Sequence, residues 1–171
     1  MPSVVQRAHQ RAPVARLGRR SAVGLVVGSV VALGGCASWD DGVFFPVDYQ
    51  DRFTKLHNCR KSQHPSGEYV VVWTNDLGKA ALDDGTRPFP VGTVFVKSQY
   101  ADSACSVQAR YTASRKGEAG SNTDAGDWSW QEVSAAGAVG SCCGGGDPAS
   151  GTSCAGCHAG CASNDHVCTQ P

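Results

Sequence analysis

Methionine occurs once in this chain of 171 residues, at position 1. No later segment can therefore offer a thioether to a metal. Long apolar stretches are also missing. The longest, Ala22 to Leu33, falls well short of the roughly 20 residues that a permanent bilayer span needs. After Arg20 there is no cluster of basic side chains, which removes the electrostatic footprint of a nucleic-acid-binding protein. No internal repeat is visible. What the chain has in excess is cysteine, nine residues in all.

The first 35 residues have the features of an export signal. Arg7, Arg11, Arg16, Arg19 and Arg20 precede a short apolar core, and no acid is present. Leu33-Gly34-Gly35-Cys36 then resembles a bacterial lipobox, in which Cys36 is lipidated and becomes the first mature residue. Ala37 in place of Asp points to the periplasmic face of the outer membrane. Arg19-Arg20 lacks the apolar residues of a twin-arginine signal, so the general secretory route is expected. A soluble secreted protein cut nearby is the alternative. Removing the five arginines leaves ten basic against fifteen acidic side chains, a net charge of −5. The expected organisation is a signal at 1–35, a tether at 36–45 and one domain at 46–171.

Near the other end stands Cys154-Ala155-Gly156-Cys157-His158. Two thiols three residues apart can each add across a haem vinyl group, and the adjacent histidine then falls under the iron as an axial ligand. The motif therefore points to haem c, held by Cys154, Cys157 and His158. With Cys36 lipidated, six cysteines remain: Cys59, Cys105, Cys142, Cys143, Cys161 and Cys168. An even remainder in an oxidising compartment suggests disulfides. The expected pairs are Cys59 with Cys105, and Cys142 and Cys143 with Cys161 and Cys168. A zinc site in the thiol-rich tail is a competing reading, and a haem-free, disulfide-stapled surface lipoprotein is another.

Periodicity divides the domain. Tyr49, Phe53 and Leu56 share one face of a predicted helix over 46–57. Residues 68–74, 93–100, 103–112 and 127–133 read as strands, 75–82 as a short helix, and 114–126 as a loop. In the second strand Val94 and Val96 point one way and Phe95 and Lys97 the other. Trp128 and Trp130 share a face. Residues 137–153, rich in glycine, read as a loop that delivers the haem motif. The fold class is α+β, a single domain with a mainly antiparallel sheet and a few helices.

Without a mature methionine, a His/Met electron-transfer site is excluded. His57, His64, His166, a lysine or an open position remain for the sixth ligand. His166, eight residues past His158, would have to loop round the porphyrin edge. An open iron leads, and it suits small ligands and catalysis.

Phe89-Pro90-x-Gly92-Thr93-x-x-x-Lys97, Gly126-Asp127-Trp128-x-Trp130, the CxxCH and Asp165-x-Val167-x-Thr169 together resemble cytochrome P-460 and its relative cytochrome c′-beta. The resemblance implies a β-rich fold, a five-coordinate haem with a proximal histidine, and homodimers. It implies oxidation of hydroxylamine with electrons passed to a soluble carrier cytochrome, or, in the c′-beta type, binding of NO and CO. It also implies a lysine joined to the porphyrin edge, for which Lys97 is the candidate and Lys79 the second choice. Glu132 or Glu68 would serve as a proton-accepting carboxylate. Cys168 stands where the family has an aromatic residue.

Overall fold

The computed structural model describes residues 42–63, 68–140 and 154–169. The export signal, Cys36, His64, Cys142 and Cys143 lie outside them. A helical turn, α1 (Tyr49–Arg52), leads into β1 (Thr54–Lys61). Then come β2 (Tyr69–Thr74), helix α2 (Asp76–Asp83), β3 (Val94–Tyr100), β4 (Gln108–Lys116) and β5 (Trp128–Ser134). Helix α3 (Cys154–Ala159) carries the CxxCH motif. The five strands form one antiparallel sheet in sequential order, an α+β meander. Every connection joins neighbours, so the motif needs no crossover to reach the sheet.

Each face of the sheet has its own core. On one face Val71, Trp73, Val94, Val96, Tyr111, Ala113 and Val133 pack under Phe45 and Tyr49. On the other, Phe95, Trp128 and Trp130 meet Ala81 of α2, Phe89, Ala125 and Val167, with Cys154 and Ala155 of α3 packed against them. The alternation read for Val94 to Lys97 and the shared face of the two tryptophans hold. Helix α2 also forms where expected. Its N-cap Asn75 accepts a hydrogen bond from the Gly78 amide at 3.1 Å, which satisfies one of the first-turn donors.

Three expectations change. The helix over 46–57 stops after one turn, because Phe53 turns extended and the chain joins β2 as an edge strand. Tyr49 and Phe53 stay with the first core while Leu56 crosses to the second, so their spacing was coincidence. The strand expected over 103–112 begins only at Gln108. Asp102 accepts hydrogen bonds from the amides of Ser106 and Val107 and from the Ser106 hydroxyl, closing a turn that leaves Val107 56% exposed. β4 then runs on to Lys116, into the segment read as a loop. Finally, Val43, Phe44 and Phe45, read as tether, are built into the first core.

Candidate functional site

On the face that α3 covers, cross-strand pairing aligns side chains in rows, because directly paired residues project to the same side. Trp130, Ser114, Phe95 and Thr74 form one row. Glu132, Thr112, Lys97, Val72 and His57 form the next. Gln99 and Arg110 stand in the third. Arg110 donates to Glu68 at 2.8 Å and to Gln99 at 3.1 Å, and lies 3.9 Å from Glu132. An aromatic floor thus grades into a polar end where both candidate carboxylates share one guanidinium.

Cys154, Cys157 and His158 fall at i, i+3 and i+4 of α3, so one side of a single helical turn presents all three. His158 packs against Trp130 with ring centroids 5.3 Å apart. Its Nδ1 lies 2.6 Å from the backbone oxygen of His166. A carbonyl only accepts, so Nδ1 carries the hydrogen and the neutral ring keeps its lone pair on Nε2. Burial pushes the His158 pKa down; the His166 carbonyl opposes that shift, and the charges of Lys97 and His166 add to it. Burial and the neighbouring charges favour the neutral ring, while the Nδ1 contact leaves Nε2 as the nitrogen with the free lone pair.

Lys97 is held largely out of water in the middle of the sheet. Burial, then the charge of Arg60, pushes its pKa down, which enlarges the neutral, nucleophilic amine fraction. Lys79 instead pairs with Asp83 on the exposed side of α2. His57 stands on β1 rather than on a helix end.

The chain beyond α3 is tied down at several points. Cys161 and Cys168 are bonded to each other, not to Cys142 and Cys143 as expected. The two cysteines are seven positions apart, so a local turn is enough to bring their sulfurs together. Cys59 and Cys105 pair as expected. Inside the Cys161–Cys168 ring, Asn164 accepts from Arg87 at 2.8 Å and Val167 is buried. Asp165 accepts from the Phe89 amide at 2.8 Å and from Lys116 at 2.7 and 2.8 Å. Lys116, the His166 carbonyl and Arg110 escaped the reading of the sequence. Nothing local marks a strand-end lysine or a carbonyl as functional. The His166 ring lies against Gly126, where a Cβ would sit 2.7 Å from its Cδ2.

The family model Cytochrome P460 matches residues 46–169. The chain belongs to the cytochrome P460 family. Membership makes it a haem-binding cytochrome. A search of the curated proteins returned no match.

The described residues fit a P460-type haem in most respects. His158 presents an uncommitted Nε2. The buried Nε1 atoms of Trp128 and Trp130, on the same face, have no hydrogen-bond partner among the described residues, an arrangement that normally calls for an acceptor. Cys157 is a free, exposed thiol. Cys154 differs: it is disulfide-bonded, to none of the other described cysteines. One sulfur cannot hold a disulfide and a thioether together, so haem attachment at Cys154 requires that bond to be opened. Among the described residues no group of three or more His, Cys, Asp or Glu is placed to hold a metal ion by itself; Cys142 and Cys143, which the zinc reading also counts, lie outside them.

Proposed function

We propose that this cytochrome is an exported, lipid-anchored monohaem c-type protein that oxidises hydroxylamine or a related small nitrogen compound. The reading is carried by one observation: in a P460-family chain, His158 is pinned through Nδ1 on the sheet face that also bears Lys97 and Glu132. Cys154 and Cys157 would hold the porphyrin, His158 would be the axial ligand, and Lys97 is the amine available for a bond to its edge. When bound, the haem iron would supply the binding position for the nitrogen ligand and the outlet for electrons.

The chain's own residues would do the rest. The aromatic row excludes water from the histidine side. Glu132 is kept near Arg110 on the same face, where it can accept a proton from an N–H group. Glu68 holds Arg110 in place by the shorter contact. Electrons would leave to a separate soluble carrier cytochrome. The net charge of −5 after the signal is removed suits a basic carrier. Lipidation of Cys36 would place the protein on the periplasmic face of the outer membrane, and homodimers follow from the family resemblance.

Expression in a host with haem-attachment machinery tests the reading. The expected product is coloured, high-spin, and reduces an added electron acceptor in the presence of hydroxylamine. A high-spin product without turnover favours a gas-binding protein of the c′-beta type. A low-spin bis-histidine spectrum that His57→Ala converts to high-spin favours electron transfer. A colourless product with Cys154 still in a disulfide defeats the haem c assignment.

A further inference from the structure

Lys116 ends β4 with a side chain only 7% exposed, and its partner Asp165 is 9% exposed. Burying two charges is favourable only when their hydrogen-bonding capacity is met. Here it is met. The ammonium donates to both Asp165 oxygens and to the Gly126 carbonyl at 2.6 Å, and it lies 5.4 Å from the Trp128 ring centre. Asp165 takes a further hydrogen bond from the Phe89 amide. The pair therefore bolts three separate pieces together: the end of β4, the turn before β5 and the loop after α3.

That loop has one further contact. Asp165 and His166 both adopt left-handed backbone conformations, φ 52° and 60°, which non-glycine residues rarely adopt without fixed surroundings. The consequence is that the His166 carbonyl points back at His158 Nδ1. The His166 amide donates to the Cys161 carbonyl at 3.0 Å, and the Cys161 amide to the His158 carbonyl at 2.9 Å. The Cys161–Cys168 bond closes the ring around this arrangement.

We propose that Lys116, through its buried ion pair with Asp165, is a positioning residue for His158. The pair locks the 164–167 turn so that the His166 carbonyl takes the Nδ1 hydrogen. That contact sets both the tautomer and the basicity of the imidazole that would face the iron. The inference rests on His158 as axial ligand for its consequences at the metal, but its effect on the imidazole does not.

The test uses the full chain purified with its haem. Lys116→Met and Asp165→Asn each abolish the ion pair, whereas Lys116→Arg retains it. Losing the Nδ1 hydrogen bond makes the imidazole a weaker donor. The Met and Asn variants are therefore expected to show a lower Fe–His stretching frequency and a higher midpoint potential, with the Arg variant near wild type. Folded Met or Asn variants with unchanged band and potential overturn the proposal. So does an Arg variant that behaves like Met, since packing would then account for the effect. If neither Met nor Asn variant folds, the pair serves stability and the proposal also falls. A wild-type chain recovered without haem defeats the axial-ligand reading alone. Ring ¹⁵N shifts of His158 then decide the matter, with Nδ1–H in wild type and mixed tautomers in the variants expected, and one tautomer throughout overturning it.

Discussion

Lys97 and Glu132 stand in the same row of the sheet with Thr112 between them, two strands apart. Two strand spacings amount to roughly 10 Å, too far for an ion pair. Burial and then the charge of Arg60 depress the Lys97 pKa, and Glu132 turns to Arg110. The separation lets one row supply an amine and a carboxylate that do not neutralise each other. Glu132→Gln is therefore expected to cost about 10²-fold in kcat for hydroxylamine oxidation. Stability should change by no more than about 1 kcal/mol, since the contact with Arg110 is long and partly exposed. Steady-state kinetics with a denaturation curve checks both.

Lys97 gives a covalent prediction. A protease digest of the wild-type haem protein should yield the Lys97 peptide joined to the peptide of Cys157 and His158. Lys97→Arg should release the two separately. Mass spectrometry reads the difference, and a free Lys97 peptide in the wild type would place the protein with the gas binders.

Tyr111 should limit alkaline stability. Burial, then the charges of Tyr49 and Tyr100, pushes its hydroxyl up to about 12 from the usual 10. A raised folded pKa means that the unfolded chain loses its proton first as pH rises above 10. The stabilising contribution is thus complete below 10 and is lost between 10 and about 12. Tyr111→Phe should flatten that loss, as followed by urea midpoints at several pH values.

The two described disulfides should separate stability from site function. Cys59–Cys105 ties β1 to the turn between β3 and β4, so the double serine variant should lose about 2–4 kcal/mol with an unchanged haem spectrum. Cys161–Cys168 encloses the carbonyl that holds His158, and its removal should shift the spectrum. Absorbance and thermal unfolding of the two variants make the comparison.

Gly126 adopts φ 58° and leaves room for the His166 ring. Gly126→Ala combines a left-handed backbone with a Cβ 2.7 Å from that ring. The cost should be at least ~1 kcal/mol, and His166 must move. Thermal unfolding and the haem spectrum should both respond.

The elements legible in the sequence were those whose own pattern decided them. β2 is β-branched and aromatic throughout, β3 and β5 place alternate residues on opposite faces, and α2 has an N-cap. β1 was hidden because an edge strand with two irregularities carries polar residues and little alternation. Asp102 disguised the turn before β4, because its carboxylate replaces backbone partners that composition does not reveal. The CxxCH pattern was legible because the attachment chemistry it suggests depends on spacing along the chain alone.

The sequence by itself determined which atoms are available: thiols and an imidazole at fixed spacing, no methionine after the first residue, and one lysine on the Phe95 face of a strand. Only the tertiary structure decided how they are held. It paired Cys161 with Cys168, put Lys116 on Asp165, and turned the His166 carbonyl onto His158. Spacing along the chain fixes contacts within a turn of helix or across one strand. Contacts between residues 49 positions apart, such as Lys116 and Asp165, depend on how the whole sheet and its loops pack.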